Sequence, residues 1–318
     1  MLIAFVSGIR SDRPDIIIGS SPHLLTPLAA TLVAKRHRVP FVLEIRDLWP
    51  ESLIQLGLTA PLIIKPLWLL QRYVYASADA IICLTDGIVE GVLASDIPVD
   101  KTIMIPNAAL KPAPLNAAMR TVNRERLGWN NRTVAIWIGA HGPANNLEVL
   151  VQAARQLTDR PELLIVFVGG GSAKPGLLEM AQDLDNVEFH AAVPKTEVQN
   201  LLRAADIGVI VHRNTEAVRG ARPNKLFDYM AASLPIVLNL DGEARSLVEE
   251  CNSGLFAIPE SPMDLAKRIR QLNDDVSLRI NLGRHGYDHV STAHSREGTA
   301  DILSMLLAKT MSNYEKRR

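Results

Sequence analysis

Short runs of branched apolar residues alternate with longer segments of mixed polarity along most of the chain. In the first third these runs predict strands at residues 15–19, 41–45, 80–84 and 102–105, and the segments between them predict helices at 22–36, 61–75 and 86–94. The strand runs lack the alternation of apolar and polar positions that is typical of a sheet with one wet face. We therefore expect parallel strands that are covered by helices on both faces.

The alternation stops at residues 111–123 and then resumes. Lys111-Pro112-Ala113-Pro114 suits neither a helix interior nor a central strand, so we place a linker over 111–123. Beyond it, strands are predicted at residues 134–138, 163–168, 187–190, 207–211, 236–240 and 255–257, with helices between them. Six parallel strands complete a doubly wound domain, which we place at residues 124–285.

The first half, residues 1–110, has only four predicted strands. Its first strand is almost entirely branched and apolar, which is typical of a sheet interior and not of an edge. The fold class that we predict is α/β, with two Rossmann-like domains of which the N-terminal one is truncated. The edge at residues 15–18 should pair with a partner chain, with a second copy in a homodimer, or with residues 1–8 folded back onto it.

Composition narrows the class of protein. Hydrophobic residues make up 47% of the 318 residues, which indicates a globular chain. The 34 Lys and Arg residues balance the 34 Asp and Glu residues, which argues against binding of nucleic acid through bulk charge. Cys83 and Cys251 lie far apart in sequence, which argues against a disulfide scaffold or a zinc site and favours a reducing compartment.

No apolar run reaches the length of a membrane span. The longest, residues 61–70, is interrupted by Lys65 and Pro66, and residues 1–8 lack the charged start of a secretion signal. We expect a cytoplasmic protein. The mean hydropathy of +0.09 fits sheets buried on both faces, or a surface that touches lipid. The apolar residues around Trp68 and Leu69 are most simply interpreted as core. The alternative is a helix flanked by Lys65 and Arg72 that makes a peripheral contact with the inner membrane.

Glycine-rich sequences follow the first two predicted strands of the second domain. Gly139-Ala140-His141-Gly142 follows the first strand, and Gly169-Gly170-Gly171-Ser172 follows the second. Ligands of open parallel sheets bind beyond the carboxyl ends of the strands, where glycines let a phosphate approach the backbone. An ordinary turn and a flexible loop are the alternatives, because neither sequence is a dinucleotide fingerprint or a P-loop.

The loop after the fourth strand of this domain is strongly cationic. Arg213, Arg219, Arg222 and Lys225 lie in it or at the start of the next helix. Lys225 and one arginine would neutralise a pyrophosphate, and the helix N-terminus would add its dipole. Asp228 lies one helical turn after Lys225, where its carboxylate would accept hydrogen bonds from ribose hydroxyls. A solvated ion pair between Lys225 and Asp228 is the alternative.

Polar groups also follow two strands of the first domain. His23 lies after the first strand, and Asp47 and Glu51 lie after the second, so all three should face one cleft. We interpret them as acid–base or hydroxyl-binding groups, against the alternative that His23 is structural. No metal site is predicted, because Asp183-Leu184-Asp185 ends a helix away from this cleft and reads as solvated charge.

The sequence Glu44-Ile45-Arg46-Asp47-Leu48-Trp49-Pro50-Glu51 is the most specific of several motif segments along the chain. The others lie at residues 13–23, 78–81, 105–107, 139–142, 169–171, 205–206 and 223–232. Together these segments resemble the retaining GT-B glycosyltransferases of family 4. The likeness is strongest to the bacterial branch that adds amino sugars in surface-polysaccharide assembly, and it covers nearly the whole chain.

This resemblance implies two facing Rossmann-like domains, with a nucleotide-sugar donor in the second and the acceptor in the first. It implies no cofactor and no metal, and a C-terminal helix over 286–318 that packs back toward the N-terminal domain. Lys225 would hold the donor diphosphate with Arg219 or Arg222, and Asp228 stands where many members use a glutamate for the ribose. The other donor-site residues that the resemblance implies are Gly139, His141, Gly142, Gly170 and Glu243.

Three departures from the family pattern qualify this picture. Family members begin with further strands and a glycine-rich acceptor loop before the segment that matches residues 13–23, so the resemblance implies a missing N-terminal portion. Gly220 stands where the first acid of a Glu-x7-Glu pair would fall. Residues 143–146 replace a lysine that is common in the loop after the first strand of the second domain.

We therefore expect a glycosyltransferase that moves a sugar from a nucleoside diphosphate sugar to a lipid-linked or glycan acceptor in surface-polysaccharide synthesis. Among such donors we favour a UDP-linked sugar. Stabilisation of the departing diphosphate would be its main electrostatic task. A non-catalytic sugar-nucleotide-binding module, or one half of a split transferase that needs a partner, is the alternative. A sugar-nucleotide 2-epimerase, which needs no acceptor, is a third hypothesis.

Overall fold

A computed structural model describes residues 2–21, 23–55, 57, 59–108, 117–292 and 296–317. These residues form two parallel sheets flanked by helices, which confirms the predicted α/β class. They divide into two compact units. The first comprises the described residues of Met1–Asn107, Thr215–Arg222 and Glu297–Arg318, and the second comprises those of Ala108–Asn214 and Pro223–Arg296.

Ten strands form the two sheets. They are β1 (Ile17–Ser20), β2 (Phe41–Ile45), β3 (Ala80–Cys83), β4 (Thr102–Met104), β5 (Thr133–Ile138), β6 (Leu163–Val168), β7 (Val187–His190), β8 (Ile207–Val211), β9 (Ile236–Asn239) and β10 (Gly254–Phe256). Every predicted strand is confirmed, with its ends displaced by two residues at most. The buried strands β3, β6, β8 and β9 are the ones with no polar alternation, as burial on both faces requires.

Fifteen helices cover the sheets in the described part of the chain. In chain order they are α1 (Leu2–Arg10), α2 (Leu25–His37), α3 (Glu51–Gln55), α4 (Pro61–Ser77), α5 (Asp86–Leu93), α6 (Ala117–Leu127), α7 (Leu147–Arg155), α8 (Lys174–Met180), α9 (Lys195–Ala204), α10 (Glu216–Arg219), α11 (Asn224–Ala231), α12 (Glu243–Glu250), α13 (Pro262–Asp274), α14 (Val276–Thr292) and α15 (Arg296–Lys316). The helix α14 runs through the predicted domain boundary at residue 285. None of the helices in these ranges is long and apolar enough to cross a membrane.

The sheet of the first unit has the strand order β1-β2-β3-β4, so β1 lies at its edge among the described residues. Its apolar sequence is typical of a sheet interior, and we expected an edge without its preceding strands; among the described residues β1 pairs with β2 alone, and Ile18 is 46% exposed. Residues 2–8 do not fold back onto this edge, which excludes one of the three pairings considered. They belong to α1, which packs on α2 so closely that a Cβ on Gly8 would lie 2.8 Å from a Val33 methyl.

The sheet of the second unit has the order β10-β9-β8-β5-β6-β7. The chain builds outward from β5 in one direction through β6 and β7, and returns to the other side of β5 with β8. The junction of β5 and β8 is therefore the point where the strand order reverses, and the carboxyl ends of these two strands frame the crevice where doubly wound sheets bind ligands.

Asp206 fastens α6 to this sheet. Its carboxylate accepts hydrogen bonds from Arg120 at 2.6 Å, from Arg124 at 3.0 Å and from the Val134 N–H at 2.9 Å. Arg124 also donates to the carbonyls of Trp129, Ala204 and Arg132. Because of this network, residues 117–123 of the predicted linker form a helix. Residues 111–116 of that linker lie outside the described residues.

We expect the Arg124→Met substitution to destabilise the second unit by about 3 kcal/mol, because it leaves the largely buried Asp206 carboxylate short of a partner. Hydrogen exchange of peptides from β5 and β8 measures this loss within the unit. Arg126→Met is the matched control, since Arg126 is 58% exposed and 3.9 Å from Glu197, and it should change stability by less than about 0.5 kcal/mol. Equal protection in both variants would contradict the role given to Asp206.

Candidate donor and acceptor sites

Two glycine loops at the carboxyl ends of β5 and β6 are hydrogen-bonded to each other. The Gly139 N–H donates to the Val168 carbonyl at 3.0 Å, and the His141 N–H donates to the Gly170 carbonyl at 2.9 Å. Lys174 adds a brace from α8, because its ammonium donates to the carbonyls of Gly169 and His190 at 2.9 and 2.8 Å. The two loops therefore form one continuous backbone surface that is held in place by hydrogen bonds.

Steric contacts explain why these loops are rich in glycine. Gly169 and Gly171 have φ angles of +142° and +154°, and a Cβ on either would lie 1.9 Å or 2.5 Å from a carbonyl oxygen of the neighbouring loop. Gly142 and Gly170 differ from them, since their Cβ positions have no atom of another segment within 4 Å. The backbone at Gly142 and Gly170 therefore has space beside it for a ligand.

Lys225 lies at the start of α11 beside these loops. Its ammonium stands 3.8 Å from the centroid of the Trp137 ring, and a Cβ on Gly139 would lie 3.3 Å from it. Within the part of the chain that the structure describes, this ammonium has neither an ion pair nor a hydrogen bond. Burial lowers the pKa of Lys225 to about 7. The site thus holds a partly buried cation that has no counter-charge among the described residues.

Tyr229 sets the position of Lys225 by fixing α11 on the sheet. Its buried hydroxyl accepts a hydrogen bond from the Ile138 N–H at 3.1 Å, at the end of β5. Gly208 makes room for the ring, because a Cβ there would lie 2.5 Å from it. Neither Trp137 nor Tyr229 was among the predicted site residues. The signal was Gly208, a glycine inside an otherwise branched strand, which indicates close approach of another group.

Asp228 does not pair with Lys225. Its carboxylate accepts a hydrogen bond from Lys195 at 2.7 Å, and Lys195 is the first residue of α9. The Asp228 side chain is 16% exposed and that of Lys195 is 56% exposed. The alternative of a Lys225–Asp228 ion pair is therefore wrong. Asp228, the carboxylate predicted to bind the ribose, instead forms an ion pair with the exposed Lys195.

His141 is an interior residue of the glycine surface. Its ring is fully buried between Trp137 and the stacked rings of Phe167 and Phe189, and neither ring nitrogen has a hydrogen-bond partner among the described residues. Burial, together with the charges of Lys174 and Lys225, lowers the pKa of His141 to about 4. The imidazole is therefore neutral. Its ring packs in the interior beneath the glycine loops, and the backbone N–H of His141 joins the two loops.

The four cations of the loop after β8 and the start of α11 have different contacts. Arg213 joins the loops after β5 and β8, because its side chain donates to the Pro143 carbonyl at 2.9 Å. Arg219 and Arg222 belong to the first unit, where Arg222 lies 4.0 Å from Asp86 and its carbonyl accepts from Asn107. Lys225 is thus the one of these four that lies at the start of a helix of the second unit, and the donor-site roles of Arg219 and Arg222 stay predictions.

Two further residues border this site. Glu243 begins α12 directly after β9, following Gly242, whose φ is +92°. His212 follows β8, and burial and the nearby charge of Lys225 lower its pKa to about 4. His212 was not among the predicted site residues. Its position directly after a buried parallel strand was the available signal.

The first unit carries a second polar cluster at the ends of β1 and β2. The Ser21 hydroxyl accepts a hydrogen bond from the Arg46 N–H at 2.8 Å, and the Ser20 hydroxyl donates to the Glu44 carboxylate. These bonds bring together the loops that contain His23 and Asp47. The His23 ring packs edge-on against Trp49 at 4.9 Å between centroids.

Two carboxyl groups of this cluster have raised pKa values. Desolvation raises the pKa of Glu51, although the Gln71 amide donates to its carboxylate at 3.2 Å. Desolvation also raises the pKa of the Asp47 carboxyl, and the positive charge of Arg46 partly opposes this shift. A carboxylate with a raised pKa is a better proton acceptor, so both groups suit contact with an acceptor hydroxyl.

No group of three or more His, Cys, Asp or Glu side chains in the described ranges is placed to hold a metal ion. Asp183, the first acid of the Asp-x-Asp sequence, forms an ion pair with Arg155. Its carboxylate is therefore already neutralised by an arginine.

Two family models match the chain in succession. The model described as glycosyl transferase 4-like domain matches residues 2–108, and the model described as glycosyl transferases group 1 matches residues 132–275. The first covers the sheet that carries the Glu51 cluster, and the second covers the sheet that carries Lys225 and the glycine loops.

Individual relatives agree with these models. The chain is 23% identical over 303 residues to the sulfoquinovosyl transferase SQD2 of Arabidopsis thaliana, which is 93% of this chain and 57% of that protein. It is 25% identical over 274 residues to the putative colanic acid biosynthesis glycosyl transferase WcaI of Escherichia coli K12, which is 82% of this chain and 67% of that protein. The chain thus spans about three fifths of the length of these two relatives.

Solved structures share the fold. Anabaena Alr3699/HepE in complex with UDP and glucose superposes with a TM-score of 0.80 at 15% identity, over 97% of this chain and 80% of that chain. WaaG, a glycosyltransferase involved in lipopolysaccharide biosynthesis, superposes with a TM-score of 0.68 over 92% of this chain and 90% of that chain. The two parallel sheets, the two successive family models and these relatives together place the chain in the family 4 glycosyltransferases with the GT-B fold.

Proposed function

We propose that the chain transfers a sugar from a UDP-linked donor to a lipid-linked or glycan acceptor in surface-polysaccharide synthesis. The observation that carries the donor assignment is the unpaired Lys225 ammonium beside the open backbone of Gly142 and Gly170. The Anabaena neighbours, solved with UDP, with UDP-glucose and with UDP and glucose, support a UDP-linked donor. The name of WcaI supports a role in the synthesis of a polysaccharide.

The chemistry follows from the charge that develops during transfer. The bond between the sugar C1 and the β-phosphate oxygen breaks, and the departing diphosphate gains negative charge. Lys225 would stabilise that charge most strongly because its ammonium is shielded from water and has no competing anion. In the first unit, Asp47 or Glu51 would accept the hydrogen bond, and then the proton, of the acceptor hydroxyl. His23 would position that hydroxyl, and Asp228 would bind the donor ribose.

Replacing Lys225 tests this assignment. We expect Lys225→Met to weaken binding of UDP-glucose by about 10- to 100-fold, because a charge-assisted contact to the diphosphate is lost. Isothermal titration calorimetry measures the affinity. Lys267→Met, which removes an exposed lysine of α13, should leave the affinity unchanged. UDP-glucose binding that is the same in both variants would refute the donor site.

The lowered pKa of Lys225 makes donor binding depend on pH. The ammonium form binds the diphosphate, and the free protein loses that proton as the pH rises through about 7. The affinity for UDP-glucose should therefore fall about tenfold per pH unit above that value, until the pKa of the bound state is reached. The diphosphate diester of UDP-glucose does not titrate in this range, so calorimetry at about pH 7, 8 and 9 isolates the lysine. In Lys225→Met the affinity should be flat with pH.

A second candidate function rests on the edge of β1. This edge has no partner among the described residues, and we propose that it receives a strand from a partner chain or from a second copy, as in one half of a split transferase. Light scattering should then give a mass above one chain, and Ile18→Pro, which removes an edge N–H, should shift it to a single chain.

The same sample separates the remaining hypotheses. A monomer of unchanged mass that turns over a UDP-sugar would exclude the split transferase. Conversion of a UDP-sugar to its epimer without any acceptor would replace the transferase by a 2-epimerase. UDP-sugar binding without turnover in any oligomeric state would favour the non-catalytic module.

A further inference from the structure

Three helices of the first unit contain no acidic residue. The helices α1, α2 and α4 have 9, 13 and 17 residues, and none of these residues is Asp or Glu. Their lysines and arginines are Arg10, Lys35, Arg36, Lys65 and Arg72. The chain as a whole has equal numbers of acidic and basic residues, so positive charge is concentrated on these helices.

The three helices pack side by side. α1 contacts α2 at Gly8 and Val33, and the His37 ring lies 2.9 Å from the Gly8 carbonyl oxygen. α2 contacts α4 through Lys35, whose ammonium donates to the Tyr73 hydroxyl at 3.0 Å and lies 4.6 Å from the centre of that ring. α2 therefore has α1 and α4 as neighbours, and Lys35 lies where α2 meets α4.

The outer face of α4 is apolar as well as basic. Leu62 is 91% exposed and Leu69 is 69% exposed, and both lie on the helix face that carries Lys65 and Arg72. The opposite face of the helix is buried at Gln71, Val74 and Tyr75. Large aliphatic side chains in open solvent, interleaved with cations and without any acid, form the pattern of a helix that lies in a membrane interface. We refer to Leu62, Lys65, Leu69 and Arg72, together with Lys35, as the basic helical face.

We propose that the basic helical face docks the first unit on a bilayer of anionic lipid. The two leucines would enter the boundary between headgroups and acyl chains, and the long lysine and arginine side chains would reach the lipid phosphates while their stems cover apolar surface. A lipid surface fits this face better than a protein partner does, because the residues that define the face are aliphatic or cationic. A protein interface of this size would also need polar groups of both signs for specific pairing.

The same helix reaches the acceptor-side cluster. Gln71, on the buried side of α4, donates a hydrogen bond to Glu51 at 3.2 Å. An α-helix with its side chains is about 10 Å wide, so Glu51 lies about one helix diameter from the basic helical face. Docking would therefore hold Glu51 at the level of the lipid headgroups, which selects a lipid-linked acceptor over a soluble glycan. This last step rests on the proposed function, whereas the docking does not.

Vesicle sedimentation tests the docking. The full chain should bind vesicles of phosphatidylcholine with about 30% phosphatidylglycerol and should leave pure phosphatidylcholine vesicles largely unbound. Leu62→Gln with Leu69→Gln should lower the partition coefficient at least about tenfold. Lys65→Gln with Arg72→Gln should lower it about twentyfold, and added salt should abolish that difference. The matched control on α13, Met263→Gln with Lys267→Gln, should bind like the unaltered chain, since Met263 is 76% exposed but lies outside this face.

The exposure of the replaced leucines means that the variants should fold, and the circular dichroism and thermal unfolding of the full chain check this. Equal binding to both kinds of vesicle, or binding unaffected by the α4 substitutions, would overturn the docking. If the α4 variants bind UDP-glucose normally and fail only on vesicles, the docking stands apart from the donor site. If the unaltered chain ignores vesicles but sediments with a protein partner or with itself, this face is a protein interface and the inference fails. Loss of UDP-glucose binding in Lys225→Met leaves vesicle binding unchanged, so the two proposals fail separately.

Discussion

The donor half of the molecule depends on one interaction, the contact of the Lys225 ammonium with the face of Trp137 at the end of β5. An ammonium without a counter-ion is unstable away from water, and the lowered pKa of Lys225 reflects that. The Trp137 ring offers only its quadrupole in compensation. The surrounding structure holds the cation there through Tyr229 and Gly208, which fix α11 against the sheet. A bound diphosphate would supply the missing charge.

The glycine loops complete this arrangement from the other side of the crevice. Their shape depends on bonds between the two loops and on the neutral His141 ring buried beneath them. Both features leave backbone, not side chains, facing the ligand. In the first unit the desolvated groups are carboxyl groups such as Glu51, not a cation. Glu51 contacts the buried side of α4, and the outer face of that helix is basic and apolar. These are the groups that the proposed sugar transfer would use in each unit.

The sequence predicted the strands well because parallel strands buried on both faces have an unmistakable apolar pattern, as β6 and β8 show. The site role proposed for Lys225 could also be inferred from the sequence, since this lysine lies at the start of the helix that follows a buried strand. The assignment of Arg219 and Arg222 to the first unit could not be predicted, because closeness in sequence does not determine which unit a loop packs on. The partner of Asp228 is Lys195, 33 residues away, and no local spacing predicts such a pair.

The membership of residues 117–123 in α6 was missed for a similar reason. Prolines at 112 and 114 mark a break, but the helix after them is held by Asp206, more than 80 residues later in the chain. Conversely, the edge expected at residues 15–18 followed from composition and strand count alone, and β1 lies at the edge of the described sheet. Long-range contacts thus determined most of what the local pattern did not.

The most direct test of the central claim is the pKa of Lys225 itself, measured by NMR of a chain with carbon-13 in its lysine side chains. The signal absent from Lys225→Met identifies the residue. The account predicts a pKa of about 7 in the free protein that rises by at least about two units when UDP-glucose binds. A pKa near the ordinary value for lysine, unchanged by UDP-glucose, would contradict it.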